Sequence, residues 1–176
     1  MKTSRRDWSG LWIVGLLSIE LLFCLADLVW TDQGLVSTEE RFNARAGMQF
    51  FCGHGDRSFA LQYTDFCGGC TAEAWMAVPF YALFGGTVLA WKIVPLIFHL
   101  GIVGLVAWWA RKFVSLEAAV FSLLLFLSAP AFYRSLASTG FGNHAESSFF
   151  PLAALAILVL LVERWGKYPG WQNLGL

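Results

Sequence analysis

The chain has 176 residues, 57% hydrophobic, 16% aromatic and 14% charged, with 12 Lys and Arg against 12 Asp and Glu. Soluble domains carry about 25% charge, so this chain lacks the polar surface to cover itself, and disordered, collagen-like and coiled-coil chains are excluded with it. A neutral balance also supplies no positive field for nucleic acid. The composition belongs in a bilayer.

Lys2, Arg5 and Arg6 precede the first apolar run, Leu11 to Trp30. At 1.5 Å per residue this run covers the roughly 30 Å of a hydrocarbon core. It is longer than a signal-peptide core and no small-x-small site follows it. Glu20 stands mid-span, where an ionised carboxylate costs at least a few kcal/mol; the expectation is a protonated group bonded to a neighbouring helix. Asp27 sits near the outer end. From residue 31 to 75 the acidic Asp32, Glu39, Glu40, Asp56, Asp65 and Glu73 outnumber Arg41, Arg45 and Arg57. Short basic segments stay in the cytoplasm, so the N-terminus reads as inside and this loop as outside.

Met76 to Phe84, closed by Gly85-Gly86, reads as a short interfacial helix, which extends the outer loop over 31–86. The second span covers about 87–110 and ends in Trp108, Trp109, Arg111 and Lys112, an aromatic belt with a basic anchor. The third covers about 114–133, with Pro130 near its exit. A short outer loop, 134–148, leads to a fourth span, 149–163, closed by Arg164 and Lys167. The expected fold is all-α and polytopic: one membrane domain over 1–176 with four transmembrane helices and both ends cytoplasmic. Tyr168 to Asn173 is a polar turn and Leu174-Gly175-Leu176 opens like another apolar helix, so the chain reads as a C-terminally truncated piece.

Cys52, Cys67 and Cys70 fall in the long outer loop, in an oxidising compartment where disulfides persist. The expected reading is a structural staple joining Cys52 to Cys67 or Cys70, worth roughly 3 kcal/mol for a loop of about 15 residues. A Cys3His zinc set with His54 is the alternative. A quinone-linked thiol oxidoreductase would use the Cys67-Gly-Gly-Cys70 pair. Such relays need a second cysteine pair, and loop 134–148 has none.

Two acidic groups face outward. Thr38 is placed to cap a helix whose first turn holds Glu39 and Glu40; both are catalytic candidates and, equally, ordinary first-turn residues. In Thr139 to Ser148, Asn143, His144 and Glu146 fall close together and can converge on one ligand from a loop, or Glu146 can simply serve a helix start. Arg134 and Lys92 add cations suited to a phosphate.

With these residues the chain resembles the N-terminal part of a GT-C type glycosyltransferase, of the protein-mannosyltransferase and aminoarabinose-transferase kind. The likeness rests on a first span followed by an outer loop opening with Glu39-Glu40, then Pro79-Phe80-Tyr81-Ala82-Leu83-Phe84-Gly85, Ala90-Trp91-Lys92, Ala110-Arg111 and Leu127-Ser128-Ala129-Pro130. It departs from the family in carrying Glu where Asp is usual and in its three loop cysteines. The resemblance implies a transferase in the cytoplasmic membrane that takes a sugar from a polyprenyl-phosphate donor on the extracytoplasmic side. Glu39 or Glu40 would be the catalytic carboxylate, with Lys92, Arg134, His144 and Glu146 at the donor. Some relatives use a divalent metal, for which His144 and Glu146 are the candidates here. The competing class is a non-enzymatic accessory or assembly subunit, and neither class involves nucleic acid.

Overall fold

The computed structural model describes residues 9–30, 37–53, 71–141 and 145–165. Among these residues seven helices occur and no strand: α1 (Ser9–Trp30), α2 (Thr38–Phe51), α3 (Thr71–Phe84), α4 (Val88–Phe113), α5 (Leu116–Leu127), α6 (Ala131–Ala137) and α7 (Ala145–Trp165). Three of them, α1, α4 and α7, are long and apolar enough to cross a membrane, and α5 with α6 makes a fourth if the bent pair is one span. Large apolar side chains stand exposed along the spans, Leu22 and Phe23 on α1 and Leu158 and Val162 on α7 among them. In water such faces would aggregate; in lipid they are solvated. The architecture is that of a helical membrane protein.

Helix α4 is the centre. Val103 and Ala107 on α4 and Leu123 on α5 form a buried cluster against which Ile13, Leu16 and Leu17 of α1 pack. Further along α1, Glu20 reaches His99, which lies earlier on α4, so α1 and α4 run antiparallel. A tight turn capped by Ser115, whose hydroxyl accepts the Ala118 N–H at 3.1 Å, reverses the chain into α5. Helix α7 runs parallel to α4. Near its start Phe149 meets Phe98 edge-on at 5.5 Å, and near its end Glu163 meets Lys112 at 2.7 Å.

The third expected span differs from a straight helix over 114–133. Helix α5 stops at Leu127 after 12 residues and α6 leaves at 95°. Pro130 explains the break: it has no N–H to donate and disfavours helical backbone at the residue before it. Twelve residues reach about 18 Å, well short of the hydrocarbon thickness.

Helices α2 and α3 form an antiparallel hairpin on the start of α4. Phe50 stacks on Trp75 at 4.8 Å, while Tyr81, from the other end of α3, donates to the Ala44 carbonyl at 3.0 Å. Gly47 lets them approach, since a Cβ there would lie 3.2 Å from the Ala74 carbonyl oxygen. Helix α3 ends where Gly85 adopts φ 69°, a left-handed conformation suited to glycine. Thr87 then caps α4 by accepting the Ala90 N–H at 3.2 Å. The interfacial helix read as starting at Met76 thus begins at Thr71.

Candidate functional site

The N-cap of α2 is Ser37, one residue before the expected Thr38; its hydroxyl accepts the Glu40 N–H at 3.0 Å. Ser37 and Glu40 have the spacing of a capping box, in which the glutamate side chain would turn back to its own cap. The Glu40 carboxylate instead reaches across to α4, where its Oε1 lies 2.7 Å from Lys92 Nζ; the two side chains are 0% and 1% exposed. The same oxygen accepts the Gly140 N–H at 3.2 Å, and Asn43, one turn on, donates from Nδ2 to the Gly140 carbonyl at 3.4 Å. The connection between α6 and α7 is therefore held by both of its backbone polar groups at Gly140. Trp91 closes the other side: a Cβ on Gly140 would fall 2.6 Å from its indole.

Glu40, Lys92 and Gly140, which the sequence places at three distant points, thus meet at the start of α4. Glu39 lies half-buried in the first turn of α2, so it remains within reach of a ligand where Glu40 is sealed. Glu146 is buried in the first turn of α7, next to Ala145, which packs against the cluster containing Trp91 and Val94. Arg134 is not part of this group. Its Nε lies 3.3 Å from Asp27 Oδ2 and ties α6 to α1. His144, Cys67, Cys70 and His54 lie outside the described residues. Cys52 is exposed at the end of α2 and has no disulfide partner among the described residues; the expected pairing with Cys67 or Cys70 falls outside them.

Beside the Glu40–Lys92 pair, between α2 and the start of α4, a cavity of about 220 Å³ is lined by Arg41, Arg45, Tyr81, Thr87 and Trp91. Arg41 and Arg45 are one turn apart and share a face. Sequence reading counted these arginines only as loop charge; the available signal was their spacing next to Glu40. It also missed His99, which lies 2.9 Å from Glu20. His99 follows Lys92 by two helical turns and so shares its face of α4. No family model, curated protein or solved structure matches this chain.

Proposed function

We propose that this chain forms the donor-binding and catalytic face of a membrane-embedded glycosyltransferase that moves a sugar from a polyprenyl-phosphate carrier to an acceptor. The membrane is the cytoplasmic one, with α2 and α3 on the extracytoplasmic side, as the basic residues before α1 and in the last turn of α4 favour. The observation that carries the reading is the cavity at the start of α4, where Arg41 and Arg45 line one side and Tyr81 and Trp91 supply aromatic rings; Glu39 and Glu40 immediately precede Arg41 in the chain. Guanidinium is the side-chain group best shaped for a phosphate, and a cavity beginning at a membrane-spanning helix suits a lipid-borne one.

Their burial supports different work for the two glutamates. Glu40 already neutralises Lys92 and accepts a backbone N–H, so it acts as a positioning residue that fixes α2 against α4. Glu39 is the general base. It takes the proton of an acceptor hydroxyl or amine, whose lone pair attacks the anomeric carbon as the bond from that carbon to the phosphate oxygen breaks. The phosphate departs with the bonding electrons, and Arg41 and Arg45 stabilise its charge. Lys92, committed to Glu40, acts on the donor only through α2.

The test uses the whole protein in detergent with polyprenyl phosphate as probe, bound complexes being counted by native mass spectrometry, and with polyprenyl-phosphate sugars in a transfer assay. Arg45→Gln is expected to weaken lipid binding, and Glu39→Gln to abolish transfer while leaving binding intact. Lipid binding unaffected by Arg41→Gln, Arg45→Gln and their combination would remove the basis of the proposal.

A further inference from the structure

A second polar cluster lies deeper along α4 and has no part in the transfer just described. Glu20 and Cys24 stand one turn apart on α1, hence on one face, and His99 meets them from α4. The His99 Nε2 is 2.9 Å from Glu20 Oε1, and Cys24 Sγ is 3.8 Å from the same oxygen. One carboxylate oxygen, one sulfur and one imidazole nitrogen all lie within 4.8 Å of one another, and all three residues are buried. The other carboxylate oxygen, Glu20 Oε2, is also buried and has no hydrogen-bond partner among the described residues.

A histidine–glutamate hydrogen bond accounts for one oxygen and one nitrogen. It leaves the second carboxylate oxygen without a hydrogen-bond partner among the described residues, a costly arrangement, and the thiol with only a long contact of 3.8 Å to the first. A cation shared by the three groups, with the carboxylate holding it through both oxygens, accounts for both. We propose that Glu20, Cys24 and His99 bind a zinc-like divalent transition-metal ion between α1 and α4.

The donor set fits that class. Magnesium and calcium take oxygen donors, whereas mixed sulfur, nitrogen and oxygen sites suit zinc and its neighbours. Around a tetrahedral ion with bonds of about 2.0–2.3 Å, donor atoms sit roughly 3.3–3.7 Å apart. The sulfur and oxygen are already near that spacing, and the nitrogen and oxygen need open only by tenths of an ångström. Charge also favours the loaded form. A thiolate and a carboxylate cancel a divalent cation, and neutrality is what a hydrocarbon environment rewards. Binding displaces two protons, the one on the thiol and the one shared by Glu20 and His99, so affinity must rise with pH. Phe126 and Tyr133, the two rings that flank His99 at 6.2 and 5.8 Å, also line an apolar cavity of about 680 Å³.

The experiment is a Co2+ titration of the whole chain in detergent, with Cys52, Cys67 and Cys70 replaced by serine so that Cys24 is the sole thiol. A thiolate-to-cobalt charge-transfer band that saturates at one cobalt per chain is expected, with Zn2+ abolishing it and Cys24→Ser or His99→Ala removing it. No band in the parent, or the same band after Cys24→Ser, would overturn the site. A second measurement needs no substitution. In the native chain, Zn2+ is expected to protect Cys24 from a lipid-soluble maleimide, with the labelled peptide identified by mass spectrometry. Equal labelling with and without Zn2+ means that Glu20 and His99 share only a proton, and the proposal fails.

Discussion

Two buried acid–base pairs hang from one face of α4, about 10 Å apart at two helical turns, and they are built differently. At Lys92 the partner comes from α2, outside the spans, and the carboxylate oxygen that meets the ammonium also takes the Gly140 N–H. At His99 the partner comes from α1, within a span, and one carboxylate oxygen has no hydrogen-bond partner among the described residues. Lysine offers only donors, so a buried lysine needs its carboxylate to remain. Histidine can give up its charge and still hydrogen-bond. The first pair is a clamp between the α2–α3 hairpin and the spans; the second can exchange its proton for another cation.

The largest effect that would break this contrast is loss of one partner. Lys92→Met leaves the Glu40 carboxylate buried without its counter-charge and is expected to cost about 3–5 kcal/mol. Glu20→Gln leaves His99 a neutral amide to bond and is expected to cost about 1 kcal/mol. Thermal unfolding of both variants in the same detergent measures the difference. Comparable losses would show that the two pairs are the same kind of interaction.

A smaller effect separates the loop held at Gly140 from the body of α4. Gly140→Ala drives a Cβ into the rigid Trp91 indole, so the backbone must move and about 1–3 kcal/mol is lost. Gly104→Ala, on α4 beyond His99, meets nothing within 4 Å and is expected to gain up to about 1 kcal/mol from helix propensity. Opposite signs in a paired unfolding measurement support a docked loop; a neutral Gly140→Ala would mean that the 134–148 connection is not held there.

The spans were legible because hydrocarbon demands long apolar runs, which composition reveals without any partner. The relative directions of the long helices agree with that reading: α1 runs antiparallel and α7 parallel to α4. The bend after α5 was not, because Pro130 reads equally as a span exit or as a break inside one. At the site, Glu40 and Lys92 were both singled out, but as separate groups acting on a ligand. Their pairing depends on how α2 folds back over α4, and no local pattern records that. Glu20 was expected to need a partner in a neighbouring helix. His99 could have been named as that partner, since it is the one histidine in the second apolar run, yet a lone histidine among apolar residues carries no direction. Arg134 was placed with the donor because an arginine suits a phosphate; its ion pair with Asp27, seven residues after Glu20 and so on the same face of α1, was not foreseen.

The smallest effect tests how firmly the α2–α3 hairpin is sealed against α4. Tyr81 is buried and donates to the Ala44 carbonyl at 3.0 Å, and burial pushes its phenol from an ordinary 10.0 up to about 12. The folded chain therefore keeps the proton over a range in which the unfolded chain has lost it. Its stabilising contribution is complete below about pH 10 and disappears as pH climbs toward about 12. Tyr81→Phe removes the hydroxyl and its bond, at about 1 kcal/mol near neutral pH, and takes away this part of the alkaline slope. Melting temperatures from pH 9 upward, measured for both proteins, give the comparison. If the two curves fall in parallel, the phenol is open to solvent and the hairpin is only loosely seated. If the variant's curve is the flatter, the hairpin closes over α4 as tightly as a clamp built on Glu40 and Lys92 requires.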